Sequence, residues 1–340
     1  MKRKMEEKNS TKNHPALLNL RGHFHVGSDQ SRPGQALLPD SITNIFPITD
    51  EYVILVTSQS SSLINVPSQA VLWSIACPTY EAALDNDCGT LALAAQGGVF
   101  LWNLQSGLLK GTLNLGDDIP TALAFCPHGS LLAVALFSGG IQLWSMADGH
   151  LLHTLMPEGE DYAAYKSLAF SPDGQLLATG NFEAGEVWLW HVLDGQLVQQ
   201  MEEAPQGRRV NGLAFSPDGK LLVCGEGGGL GNDLSMRTWE MDRGHVGKGF
   251  PRTAWKPVFR SDGKMLASVG RVAHWQKGNV AHAIIIWDVT TRSEIRQFSV
   301  HKKHVSFIVF SPSGRFLISG SEDQAVRWWE IESGKERYSL

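Results

Sequence analysis

LAFSPDGQLLATGNFEAGEVWLWHVLDG, running from Leu168 to Gly195, reads as a strand, a tight turn, a second strand and a third strand that closes on a tryptophan. Ser171-Pro-Asp-Gly174 suits a type I turn, because proline presets φ near −65° at the second position and glycine is favoured at the fourth. An apolar run ending in Phe170 precedes the turn, and Leu176-Leu-Ala-Thr-Gly180 follows it. The same word returns at Cys126–Gly129, Ser216–Gly219, Arg260–Gly263 and Ser311–Gly314, preceded by Phe125, Phe215, Phe259 and Phe310. The third strands read LWNLQSG, LWSMADG, LWHVLDG, TWEMDRG, IWDVTTR and WWEIESG, and they carry Trp102, Trp144, Trp190, Trp239, Trp287 and Trp329. Leu63-Ile64-Asn65-Val66 aligns as a seventh, degenerate member, so the spacings from Ile64 onward are 38, 42, 46, 49, 48 and 42.

A period of about 40 to 45 residues, with turn, apolar strands and tryptophan strand in phase, resembles the WD40 repeat family. The resemblance covers roughly residues 40 to 340, although a single Trp-Asp pair survives, Trp287-Asp288. Strand parity supports the same architecture independently. In the third repeat Ile141 and Leu143 fall on one face and Trp144 on the other, so both faces must be covered. Blades stacked in a closed ring do that. The expectation is an all-β fold, a seven-bladed β-propeller with four antiparallel strands per blade, over residues 39–340, after a tail of residues 1–38. For the last outer strand either Glu336 to Leu340 or Ala16 to Leu20 is available, and the N-terminal segment is favoured.

Composition excludes several function classes. Hydrophobic residues are 43% of 340, yet the longest apolar runs, such as Leu131 to Phe137, fall far short of the roughly 18 residues of a membrane span. Met1 to Pro15 lacks the apolar stretch of a secretory signal, so the cytoplasm is the expected compartment. Cys77, Cys88, Cys126 and Cys224 form no CxxC pair, which argues for buried thiols over disulfides or zinc. With 29 Lys plus Arg against 34 Asp plus Glu there is no footprint for direct nucleic-acid binding. The first dozen residues hold five basic and two acidic side chains, which reads as a solvated tail.

In the family a histidine, a Ser or Thr, an aspartate and the strand-c tryptophan form a hydrogen-bonded tetrad, and the resemblance implies His301, Ser319, Asp323 and Trp329 here. These residue types also compose a nucleophilic triad, but the motif buries the serine in a sheet, and a nucleophile must face a cavity. No catalytic residue is assigned. Six residues before the other tryptophans stand Gln96, Ser138, Ala184, Asp233 and Ala281, so most blades are expected to lack the network and to rest on apolar packing, with Trp102, Trp144, Trp190, Trp239 and Trp287 as structural residues.

The departures from period are insertions. Gly225 to Asp233 and Gly270 to His282 separate strands b and c of repeats five and six, on the face that also carries the links between blades. Gly225 to Gly231 lacks the Lys-Ser or Lys-Thr and the helix of a phosphate cradle, and reads as a flexible loop. Arg271, His274, Trp275 and Lys277 combine an aromatic anchor with cations, the composition of a binding hot spot. Tyr165, Arg208, Arg209, Arg252 and His304 precede strands a and reach the same face. His274 and His282 alone make a weak metal pair, so neither metal nor cofactor is expected. The reading is a non-catalytic scaffold, one propeller within a larger complex, that binds a protein or peptide on this face. The alternative is a hydrolase-like propeller enzyme with a small-molecule site in the central channel, but the starts of strands a, read as Ile42, Ile119, Lys166, Val210, Ala254 and Val305, offer no ring of carboxylates or histidines.

Overall fold

In the computed structural model the residues described are 42–85, 89–156, 165–201, 208–228, 236–242, 245–247, 249–251, 254–272 and 281–340. The five turn words close five hairpins. Gly129, Gly174, Gly219, Gly263 and Gly314 all sit at φ between 67° and 72°, which only glycine adopts without strain. Each donates its N–H to the carbonyl of the turn's first residue at 2.8 to 2.9 Å. Asp173 and Asp218 tighten two turns by accepting from Ser171 and Ser216 and from the N–H groups of Gln175 and Lys220.

Hairpins extend into seven sheets, each of four antiparallel strands consecutive in sequence. Naming the strands a to d within blades one to seven, strands a are Ile42–Pro47, Glu81–Leu84, Pro120–Phe125, Tyr165–Phe170, Arg208–Phe215, Ala254–Phe259 and Val305–Phe310. Strands a of neighbouring blades approach one another all round the ring, and strands d make no comparable approach. Strands a therefore line the axis and strands d form the rim.

The core is divided among the seven junctions between blades. Ile141, Leu143, Leu177 and Trp190 pack blade three on blade four, while Trp144, on the other face of the same strand c, packs toward blade two. Burying such side chains contributes about 1.5 to 3 kcal/mol each. One junction closes the circle, with Ile42, Leu55 and Ile64 of blade one against Phe316, Ile318 and Trp328 of blade seven. The outer position of blade seven, for which Ala16 to Leu20 was favoured from sequence, is held by Glu336–Ser339, paired antiparallel with Val326–Glu330. The chain turns directly from strand c to strand d at Gly334, φ 69°, and a strand so close in sequence loses little loop entropy on docking. Residues 16–20 lie outside the described residues.

Three tryptophans share one local device. Trp190, Trp287 and Trp329 donate their indole N–H to Thr179, Ser268 and Ser319 at 3.0, 2.8 and 2.9 Å. In blade five the matching position of strand b is Cys224, and the Trp239 indole is buried without an acceptor. Burial pushes the Cys224 thiol up to about 12, so it stays protonated. In blade seven His301 adds a bond to Ser319 at 2.7 Å and one to Asp323 at 3.1 Å. Tryptophan–hydroxyl pairing is thus more widespread than the offsets to strand c indicated, because the hydroxyl sits in strand b and needs no Asp in the turn.

Both insertions begin as strand. Residues 225–228 extend strand b of blade five, Leu221–Gly228, and pair with strand a through Arg208 opposite Gly228, so this part of the glycine run is a ladder where a flexible loop was expected. In blade six strand b, Met265–Val272, and strand c, Ala281–Asp288, pair out to Val272 opposite Ala281. Val223, Val269 and Ile284, all buried, supply the β-branched packing that carries these hairpins past the usual blade length.

Candidate functional site at the mouth of the channel

Six of the seven strands a carry a register break near their start, at Thr43, Thr121, Lys166, Asn211, Lys256 with Pro257, and Ser306. A bulge leaves one residue unpaired and re-aims its side chain. Strand a of blade two shows no break, and its first residue is Glu81. Thr43, Glu81, Thr121, Lys166, Asn211, Lys256 and Ser306 are all polar and at least partly exposed, while Ile42, Tyr165, Val210, Ala254, Pro257 and Val305 beside them are buried. Since strands a line the axis, these residues make a polar ring at one mouth of the channel.

The ring is electrostatically uneven. Burial pushes the Glu81 carboxyl up, and the Asn44 amide that donates to it and the Lys256 charge only partly offset this. Lys256, at φ 54°, has its ammonium held below the usual lysine range by the same burial, with Glu81 opposing. The two thus act on each other from blades two and six. Beside them Trp255 stacks on His304, centroids 5.7 Å apart and planes 1° apart. Burial lowers the His304 imidazole, against Glu322 at 3.9 Å. Across blades four and five, the Lys166 ammonium lies 4.1 Å and the Arg209 guanidinium 5.1 Å from the centroid of the Phe182 ring.

Of the binding residues expected from sequence, Arg209 is exposed and His304 half-exposed on this face. Tyr165 is a correction, fully buried in the junction of blades three and four. Its backbone pairs in register with Asn181, which turns the side chain inward, and the bulge gives the exposed position to Lys166 instead. Arg271 and Arg208 are described by backbone only, in strands b and a. Arg252, His274, Trp275 and Lys277 lie outside the described residues, as does Asp233.

Sequence reasoning missed Asn44, Glu81, Phe182, Trp255 and Lys256, and it placed two strands a one residue from their starts at Pro120 and Tyr165 and a third two residues from its start at Arg208. A signal existed. Thr121, Lys166, Asn211 and Ser306 each stand four residues before the phenylalanine that closes strand a, a polar residue recurring in an otherwise apolar run. Among the described residues no group of three His, Cys, Asp or Glu side chains is placed to hold a metal ion.

The profile of the WD domain, G-beta repeat family matches residues 292–330, and that of the anaphase-promoting complex subunit 4 WD40 domain matches residues 168–241. Among curated proteins, the U3 small nucleolar RNA-associated protein 15 homolog of Xenopus tropicalis is 34% identical over 26% of this chain. The human WD repeat-containing protein 36 is 40% identical over 15% of the chain, and protein HIR1 of Kluyveromyces lactis 28% identical over 25%. The matches cover only 15%, 6% and 9% of those proteins' lengths. Among solved structures, Kuenenia stuttgartiensis hydrazine synthase covers 90% of this chain and 99% of its own, with a TM-score of 0.71 at 14% identity, a likeness of fold alone. The cytoplasmic placement expected from sequence is overturned by the relatives named for association with a small nucleolar RNA. The composition of residues 1–15, on which that expectation rested, bears only on secretion and does not separate one compartment inside the cell from another.

Proposed function

The chain belongs to the WD40-repeat β-propeller family, and from that premise we propose that it is a non-catalytic interaction platform, binding a protein or peptide on the face that bears the extended hairpins of blades five and six. The observation that carries this reading is the convergence at one mouth of the ring of bulge residues, the Trp255–His304 stack and the two hairpins. Aromatic and cationic side chains at such a mouth provide contact area and orientation, the ingredients of a hot spot. A hydrolytic centre on the axis needs acids or histidines from several blades, whereas the ring holds one carboxylate, Glu81, and no histidine. Arg271, His274, Trp275, Lys277 and Arg252 extend the platform in this proposal. One matching family is named for a subunit of the anaphase-promoting complex and one relative for association with U3 small nucleolar RNA, and in a setting of that kind one propeller would serve as a docking part.

Affinity capture from native lysate tests the reading, with wild type beside Trp275→Ala/Arg271→Ala and circular dichroism establishing that both fold. A protein retained by wild type and released by the variant supports it. Equal retention by both moves the interface off this face and overturns it.

A further inference from the structure

Lys166 and Arg209 come from different blades, yet both cations are drawn to one aromatic ring, that of Phe182 in the turn between strands b and c of blade four. Two like charges so placed repel each other, and the face of the ring offsets part of that cost at about 0.5 to 1 kcal/mol per exposed cation. Both side chains are exposed, and neither forms an ion pair among the described residues. Elsewhere in the described structure several arginines hold carboxylates, although Arg292 rests on the Phe250 ring without an ion pair. Arg315 and Arg337 share Glu330, Arg327 takes Glu336, and Arg260 takes Asp262. An ammonium has three donors and a guanidinium five, and neither accepts a hydrogen bond, so this pair can be satisfied only by water or an incoming acceptor.

We infer that Lys166, Arg209 and Phe182 form an anion-recognition site for a carboxylate-bearing, acidic peptide segment. The site deepens the platform reading and rests on it, naming the chemistry of the partner at blades four and five. Asn211, the bulge residue next along the ring, already uses its amide on the Arg209 carbonyl at 3.2 Å, which fixes the backbone beneath the guanidinium. Exposed Glu183 stands in the same turn as Phe182, and Glu186 closes it. Those carboxylates and the net charge of −5 oppose a continuous phosphate backbone, which needs a run of cations, while one or two carboxylates need only this pair. Phe182 adds apolar contact for the stem of a glutamate.

Fluorescence anisotropy with the full chain and a labelled Glu-Gly repeat peptide tests the site at low salt. The Gln-Gly counterpart, a phosphoserine peptide of equal charge and a uridine oligonucleotide complete the set. Wild type is expected to bind the Glu-Gly peptide and not the Gln-Gly one. Lys166→Gln/Arg209→Gln is expected to weaken binding about tenfold or more, as loss of charge-assisted hydrogen bonds does, and Phe182→Leu about threefold. Lys166 and Arg209 are exposed and Phe182 partly so, and near-ultraviolet dichroism checks that each variant keeps the fold. Equal binding by the double variant, no binding of the Glu-Gly peptide by wild type, or preference for the phosphoserine peptide or the oligonucleotide overturns the inference. Replacing residues 273–280 by a Gly-Ser linker separates this site from the platform as a whole. That change is expected to spare peptide affinity even where it abolishes capture of a partner, and loss of peptide binding would move the anion site onto the inserted loop.

Discussion

Ser319 Oγ, wholly buried, receives the Trp329 indole N–H and lies 2.7 Å from His301 Nε2, so its own proton is committed to the imidazole. A hydroxyl held in this way braces a blade and has no approach for a substrate. The His301 imidazole is held below the usual histidine range, first by burial, with Asp323 opposing and Arg327 assisting. A depressed folded value means that the unfolded chain takes the proton first. His301 therefore contributes stability that is complete above its unfolded value of about 6.5 and is lost as pH falls through the folded one. Burial alone would raise the Asp323 carboxyl, but the Lys302 N–H and His301 overcome it and hold it low, so its contribution is lost only at still more acid pH. Chemical denaturation across pH 8 to 5 is expected to show the unfolding midpoint level down to about 6.5 and falling below it. His301→Gln should flatten that fall, while His304→Gln, half-exposed, should flatten it less. Identical profiles for wild type and His301→Gln would detach the buried imidazole from acid sensitivity.

At the scale of strands, bulges explain both what was legible and what was not. Strand number, turn type and the tryptophan strands follow from period and local chemistry, and these can be read residue by residue. The mouth of the channel depends on which side chain a register break turns outward, and parity counting across a break mislabels the neighbour, as with buried Tyr165 and exposed Lys166. The insertions were read as loops for a related reason. Gly225 and Gly227 carry no strand propensity, and their place in the ladder is set by the partner strand and the next blade. A Cβ on Gly225 would lie 2.7 Å from Pro257 Cδ and 2.9 Å from Trp255 Cα, and one on Gly212 would lie 2.9 Å from Lys256 Cα. Blade six thus seats its bulge directly on the bare backbone of blade five. Gly225→Ala is expected to cost about 1 to 3 kcal/mol, the range for overpacking, because atoms of the backbone and a proline ring have nowhere to move. Gly111→Ala, whose Cβ meets nothing within 4 Å, serves as the neutral comparison. Equal denaturation midpoints for the two variants would contradict a tight seat under the bulge.

For the whole molecule the question is what keeps a ring shut when every blade is built from its own consecutive strands. No strand is exchanged between the first and last blades among the described residues, so closure depends on side-chain packing and a few polar ties. Trp328 and Phe316 supply the packing with Ile42 and Leu55, Ser313 donates to Asp50 at 2.7 Å, and Gln69 donates to the Ser339 carbonyl at 3.1 Å. Leu340 trades backbone bonds with Val326 at 2.9 and 3.1 Å and packs against the same apolar cluster. Residues 336–340 therefore complete blade seven and also reach blade one. Their removal strips strand c of its outer partner and opens the closing junction, and is expected to cost about 3 kcal/mol or more. Removal of residues 1–38 leaves every one of these contacts in place, so the midpoint should move by less than about 1 kcal/mol. The two truncations measured side by side by urea denaturation decide where closure resides. If the N-terminal deletion proves the more costly, the ring is shut by chain before Ile42, and packing between blades seven and one is insufficient alone.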